Sequence, residues 1–250
     1  RPPRRSGGAG RRTAAPMKLR ILTHAEKDLS GTMPSLFPAF MEHDPIVSTF
    51  WPRLYEVYAD FQLWVLDGKE TVASACTLPV TWDGLAEPRG LDWAMTNGAA
   101  GAPTTLCAVV VNIVPSHRGT GLAGVLLRRM TSIAAAHGLD SLIAPVRPTW
   151  KEHYPLTPIE RYLRWRREDG LPYDPWLRTH ERIGGTILDP APRSMAITGL
   201  REEWEEWTGL QFPEDGDYVV PRALAPVRFE NGQGRYVEPN VWMRHPLYED

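Results

Sequence analysis

Leu106-Cys107-Ala108-Val109-Val110-Val111-Asn112-Ile113-Val114-Pro115-Ser116-His117-Arg118-Gly119-Thr120-Gly121-Leu122-Ala123-Gly124 is the stretch of this 250-residue chain whose reading decides the fold. The apolar run Leu106 to Val114 has the composition of a buried strand, and Pro115 ends it. A glycine-rich turn follows. From Leu122 the apolar residues Val125, Leu126, Met130 and Ile133 recur at helical spacing, and Gly138 supplies a stop. Leu142 to Val146 reads as the next strand. The order is therefore strand, glycine turn, helix, strand.

The turn carries chemistry. Glycines let backbone N–H groups approach an anion closely, and the first-turn N–H groups of a helix have no partner within it, so a phosphate can take them. Arg118 adds a fixed positive charge beside them. A glycine-rich connector with a surface arginine is the bland alternative. Its placement between a buried strand and an amphipathic helix favours the anion cradle.

At these residues the chain resembles the GNAT superfamily of N-acetyltransferases, whose acyl-coenzyme A signature is Arg/Gln-x-x-Gly-x-Gly/Ala. Arg118, Gly121 and Ala123 match it, Pro115 stands where a proline usually precedes it, and Ile113-Val114 matches the strand end. The resemblance implies an α/β fold of the α+β type, a mixed and mostly antiparallel sheet flanked by helices. It implies acetyl-coenzyme A as co-substrate and no metal. Backbone N–H groups of Gly119, Thr120, Gly121, Leu122, Ala123 and Gly124 would bind the pyrophosphate, and the main chain at Ile113 and Val114 would pair with the pantetheine arm. The same glycines also spell Gly119-x-Gly121-x-x-Gly124, a dinucleotide fingerprint. That reading is disfavoured because four residues separate strand end from first glycine, and because Asp140 precedes the next strand instead of ending it.

Acyl transfer needs a neutral amine. For an acceptor titrating near 10.4, protonation imposes a deficit of roughly 4 to 5 kcal/mol at pH 7. The family often places a glutamate on the strand before the signature, but Leu106 to Val114 holds no carboxylate. Asn112, its polar side chain, is suited to position a water and not to hold a proton. Either another element supplies the base or the acceptor is not strongly basic. The family's usual proton donor to the leaving thiolate is a tyrosine in Tyr-x-x-x-Gly at a helix end, where this chain has His180 and Gly184. A histidine that only stabilises its helix end is the alternative.

Outward from this segment, Lys18 to Thr23 reads as a strand, and a helix is predicted with Asp44 as N-cap and Pro45 at its first position. Gln62 to Leu66 and Thr71 to Trp82 flank the hairpin turn Asp67-Gly68. Glu87 to Thr105 reads as a Gly- and Ala-rich loop. The capping box Thr157-Pro158-Ile159-Glu160 predicts a helix from Pro158 to about Asp169, with Arg161, Arg164, Arg166 and Arg167 on one basic face. A second helix is predicted from Asp174-Pro175 to Gly184. Residues 148–175 form an insert whose Tyr154, Tyr162, Trp165 and Tyr173 are the expected wall of the acceptor site, core packing being the alternative for about half the insert's aromatics. Strands are predicted at Arg193 to Thr198, Tyr218 to Val220 and Tyr236 to Met243, with a helix at Arg201 to Trp207; residues 199–250 would extend a single domain spanning 17–250.

Composition bounds the rest. At 42% hydrophobic the chain can bury a large core, and no run approaches the ~20 apolar residues of a membrane span. Cys76 and Cys107 are too few for a disulfide framework or a four-thiolate zinc site and are expected as buried thiols in a reducing, cytoplasmic compartment. The net charge of −2 conceals five arginines among residues 1–16, which leaves −7 for the rest. An acidic body argues against nucleic acid as partner. The basic segment 1–16 is expected to be a disordered tail. The function expected is acyl transfer to a small-molecule amine, with a non-catalytic acyl-coenzyme A sensor as the non-enzymatic alternative and a homodimer left open.

Overall fold

A computed structural model describes residues 18–97 and 101–247; the predicted tail, residues 1–16, lies outside them. The first strand, β1 (Leu19–Thr23), pairs antiparallel with β2 (Leu63–Asp67), which turns through Gly68 into β3 (Glu70–Val80). Between β1 and β2 runs α1 (Pro45–Glu56), whose N-cap Asp44 accepts from Val47 N–H at 2.8 Å. The hairpin turn requires a left-handed residue, and Gly68 provides it with φ of 63°.

Between β3 and β4 (Thr105–Ile113) the chain forms α2 (Gly90–Asn97), where a loop is predicted. Leu91, Ala94 and Met95 are buried along one face of that helix. Their i, i+3, i+4 spacing was the available signal, obscured by the Gly- and Ala-rich residues around it. Next come α3 (Leu122–Ala136) and β5 (Leu142–Val146), as the apolar periodicity predicts.

The insert departs from its predicted form. Of the predicted helix from Pro158 to about Asp169 only α4 (Ile159–Tyr162) forms; the chain then folds back on itself, with Tyr173 N–H donating to Trp165 O and an isolated bridge between Arg166 and Pro172. Thr157 caps nothing, because Pro158 is the N-cap residue. Aromatic packing overrides the helical pattern: Trp165 lies 4.8 Å from Tyr154, 5.1 Å from Tyr162 and 5.7 Å from Tyr173, ring centre to ring centre. The expected basic helix face is not formed; Arg166 pairs with Glu181 and Arg167 with Asp169.

Asp174 closes this insert. Its carboxylate caps α5 (Pro175–Arg182) by accepting from Trp176 and Leu177 N–H, and it also takes Trp150 N–H at 2.7 Å and Tyr162 O–H at 2.9 Å. The chain ends with β6 (Thr186–Leu200), α6 (Arg201–Thr208), β7 (Gly216–Tyr218), β8 (Val227–Glu230) and β9 (Gln233–His245). β8 had no counterpart among the predicted strands.

All nine strands form one sheet in the order β1-β2-β3-β4-β5-β9-β8-β7, with β6 also on β9. Only β4 and β5 pair parallel, so this is the mixed, mostly antiparallel sheet expected, and not a doubly wound one. Helices cover both faces. On one, α3 and α5 pack on Leu63, Val65, Leu106, Leu142, Val241 and Met243; on the other, α1, α2 and α6 pack on Cys76, Leu78, Ile143, Ile197, Tyr236 and Trp242. Both thiols are buried and unpaired, and burial raises Cys76 to about 11.

Because Asp174 ties four donors together, Asp174→Ala should cost about 2 to 4 kcal/mol in urea unfolding, combining a lost cap with a buried hydroxyl left unpaired. Tyr162→Phe should cost less, and the double variant should be less destabilised than the sum of the two; strict additivity would show that the hydroxyl and the carboxylate do not cooperate.

Candidate active site

The site is built where the sheet opens. β4 and β5 pair through only two residue pairs, Leu106 with Leu142 and Cys107 with Ile143, and then part. Two local features divert them. Val109 is an extra residue in β4 opposite the Cys76-Thr77 junction, a bulge that bends the strand, and Pro145 has no N–H to offer. β9 meanwhile pairs along all of β5, so the sheet stays continuous behind a wedge-shaped opening.

Strand alternation decides which backbone groups face that opening. Val114 N–H donates to Val72 O on β3, so the groups of Val111 and Ile113 point to the opposite, open edge. This revises the expected pairing residues. Both backbone groups of Val114 are taken, its carbonyl by His117 N–H, so the residues turned to the open edge are Val111 and Ile113. Ile113 retains a free N–H while its carbonyl accepts from Arg118 Nε at 3.0 Å.

At the mouth lies the cradle. Gly119 and Gly121 have φ of 75° and 87°, a left-handed backbone that glycine adopts without strain, and a Cβ at either would meet nothing within 4 Å. Gly121 is the N-cap residue of α3, which leaves the N–H groups of Leu122, Ala123 and Gly124 without carbonyls behind them. The Leu122 side chain is core, so only its backbone faces the turn. Thr120 O–H donates to His117 O, and His117 is anchored to Asp67 at 3.3 Å. Exposed main-chain donors, the positive end of a 15-residue helix and the exposed Arg118 together suit a pyrophosphate.

The acceptor-side residues divide. Asn112 is half-buried on the β4 face shared with Val110, the α1–α2 side. The four aromatics of the insert lie on the other side, with α3 and α5. Tyr162 is 1% exposed and its hydroxyl is held by Asp174, so it is withdrawn from the acceptor wall. Tyr154 and Tyr173 are half-buried, their hydroxyls 2.9 Å apart, with Trp165 edge-on to both.

The role expected of His180 is also revised. It is 2% exposed, with Nδ1 2.8 Å from Nε2 of the buried His245 and Trp176 edge-on to its ring. Gly185 exists for this contact, since a Cβ there would lie 2.5 Å from His245 Cε1. Burial, then the neighbouring imidazole, hold His180 well below 6.5, and burial lowers His245 to about 4. At neutral pH the pair is uncharged, so His180 carries no imidazolium proton to give.

The α1–α2 face holds a polar network that sequence reasoning missed. Arg147, at the end of β5, donates to Glu238 at 2.9 Å and to Arg222 O; Glu238 also accepts from Tyr236 O–H at 2.8 Å. Asn240 donates to Pro145 O at 3.2 Å and to Ser194 Oγ at 2.8 Å, and Ser194 in turn accepts from Leu91 N–H of α2. The available signal was two polar residues, Glu238 and Asn240, two apart in the otherwise apolar stretch Tyr236 to Met243.

The parted strands and the glycine cradle agree with what comparison with known proteins finds. No family model matches the chain. It is 32% identical over 257 residues to arginine N-acetyltransferase avaD of Aspergillus versicolor, covering 88% of this chain and 89% of that one. The chain belongs to the GNAT superfamily of acyl-CoA-dependent acetyltransferases. It is an enzyme of that class, which sets aside the dinucleotide and sensor readings. Among solved structures it is similar in fold to the loading GNATL domain of CurA from Lyngbya majuscula (TM-score 0.62, 17% identity, 92% and 98% of the two chains). It is also similar to the GphF GNAT-like decarboxylase in complex with isobutyryl-CoA (TM-score 0.55, 13% identity, 92% and 100%). Among the described residues no helix is long and apolar enough to cross a membrane.

Gly121→Val should weaken acetyl-CoA binding at least 100-fold by calorimetry, since a branched side chain is strained at that φ and fills the cradle. Gly138→Ala, equally left-handed at the far end of α3, should lose similar stability and keep its affinity; equal affinity in both variants would remove the cradle from the site. The histidine pair gives a pH signature. Both folded-state pKa values lie below 6.5, so the unfolded chain takes up protons first and the pair's contribution is lost as pH falls below about 6.5, with the His245 share gone by about 4. Asp92, raised to about 7, acts in the opposite sense, so the informative quantity is a difference. His245→Gln should gain stability relative to the parent protein across that window.

Proposed function

We propose that this enzyme transfers the acetyl group of acetyl-CoA to the α-amine of a small basic amino acid, arginine foremost, by direct attack. The observation that carries this reading is the opening between β4 and β5 with the Gly119–Gly124 cradle at its mouth. When bound, acetyl-CoA supplies an activated thioester. Gly119 to Gly124 and Arg118 hold its pyrophosphate, and Val111 and Ile113 offer strand-edge groups to the pantetheine. Arginine as acceptor is suggested by the relative, which is named an arginine N-acetyltransferase.

The acceptor's chemistry fits the missing carboxylate on β4. The α-amine of a free amino acid titrates roughly one to two units below a lysine-type amine, at about 9, so its deprotonation at pH 7 demands about 3 kcal/mol, less than the roughly 4 to 5 kcal/mol of a lysine-type amine. Asn112, half-buried on the acceptor face, orients the water that receives the proton. Tyr154, Trp165 and Tyr173 lie on the opposite, α3–α5 side of the sheet and would bound the opening only from there. A second reading draws on the same absence: a decarboxylase acting on a carboxylated acyl-CoA needs no amine base, and one of the similar folds is such an enzyme by name.

The two separate in one assay. With acetyl-CoA and arginine, free thiol and an N-acetylated product should appear in equal amounts, and Asn112→Ala should lower kcat about 10- to 100-fold with little change in KM for acetyl-CoA. Carbon dioxide release from malonyl-CoA without an amine, and no thiol release from acetyl-CoA with any amine, would replace transfer by decarboxylation.

A further inference from the structure

The α1–α2 face contains a set of buried oxygens that the fold does not satisfy. Asp44 is fully buried; its Oδ1 caps α1, but Oδ2 has no partner. Asp92, in the first turn of α2, buries an equally unpartnered Oδ1. Asn240 is 3% exposed, and its Oδ1 is unpartnered while its Nδ2 is spent on Pro145 O and Ser194 Oγ, bonds that fix which end is oxygen. Asp44 and Asp92 adjoin one another, and Asn240 is joined to the first turn of α2 through Ser194 Oγ. The Ala196 N–H on β6 interacts with both carboxyls, Asp44 disfavours charge on Asp92, and Glu238 does so on Asp44.

Two features identify the missing partner. With both carboxyls ionised, each of these three unsatisfied atoms is an acceptor, so the complement is a cationic group that only donates and that favours the ionised form. The nearby cations are committed, Arg147 to Glu238 and the exposed Arg89 to Glu87. A compact metal ion does not fit, because among the described residues no three His, Cys, Asp or Glu side chains converge closely enough to hold one. A guanidinium matches in chemistry: it is planar, permanently charged, and presents five donors spread over a fork.

A hydrogen-bonded chain links this face to the opening between β4 and β5. From the parted edge of β5 it runs through Pro145 O to Asn240, to Ser194, and to the first turn of α2 that bears Asp92. We infer that Asp44 and Asp92, with Asn240 beside them, form a guanidinium subsite that receives the side chain of the acceptor while its amine lies at the opening between β4 and β5. This deepens the acetyl-transfer reading and rests on it for the placing of the amine. The unpaired carboxyls of the free protein are then a stability cost kept for binding.

The test uses arginine and its uncharged ureido isostere citrulline, with binding read by calorimetry apart from turnover. The parent protein should bind arginine at least 100-fold more tightly than citrulline. Asp92→Asn, and Asp44→Asn, which retains a good helix cap, should each weaken arginine binding at least 10-fold, raise its KM more than they lower kcat, and leave acetyl-CoA affinity within about 2-fold. Asp92→Asn should also melt at a higher temperature than the parent without ligand. Arginine acetylation with unchanged arginine affinity in both variants would overturn the subsite and leave the transfer reading standing. Tight, Asp92-dependent arginine binding without acetyl transfer would keep the subsite and overturn the reaction. No preference of the parent for arginine over citrulline would overturn the subsite outright.

Discussion

The site depends on two strands that stop pairing. Had β4 and β5 stayed bonded beyond Cys107 and Ile143, the N–H and C=O groups of Val111 and Ile113 would be consumed within the sheet, leaving no edge for an extended ligand. The bulge at Val109 and the missing donor of Pro145 make the separation local, and the full pairing of β5 with β9 keeps it from spreading. An open edge inside a folded sheet is costly in solvent-poor surroundings unless something fills it. The cradle at the N-terminus of α3 lies at the wide end of the same opening, so phosphate binding and strand-edge pairing are aligned by one distortion.

The two faces of the sheet serve different ends. The α3–α5 face is built from Leu, Ile, Val, Ala and Met, with the insert's aromatics locked to Asp174, and its stability comes from apolar burial. The α1–α2 face buries Asp44, Ser194, Glu238 and Asn240 among its apolar residues. Buried polar groups are tolerated when bonded and expensive when not, so unsatisfied oxygens concentrated on this face, which also carries Asn112, point to function more than to packing. The His180–His245 pair is a different case, a neutral contact fitted against Gly185 inside the core.

Particular residues show where the sequence was legible. The Asp44-Pro45 and Asp174-Pro175 starts, the Asp67-Gly68 turn, and the run from Thr105 through Ala136 each follow from chemistry within a few residues, and each formed as predicted. Thr157 to Glu160 carries an equally good local signal and misled, because Trp165 and Tyr173 find each other and Tyr162 finds Asp174 at less cost than a longer helix would incur. Leu91, Ala94 and Met95 misled in the opposite direction: their short apolar stripe gains its stability from packing on β6, which no local window contains.

What the sequence determined by itself is the cofactor side: a buried strand, glycines free to take positive φ, and an amphipathic helix starting directly after them. These are backbone conformations set by neighbours in the chain. What only the tertiary structure decided is the polar α1–α2 face and the surroundings of His180. Asp44, Asp92 and Asn240 come from three distant elements, and His180 loses its expected role because a strand sixty-five residues later places His245 against it. Burial, pKa and the absence of a hydrogen-bond partner are properties of an environment, and that environment exists only once the sheet has brought those elements together.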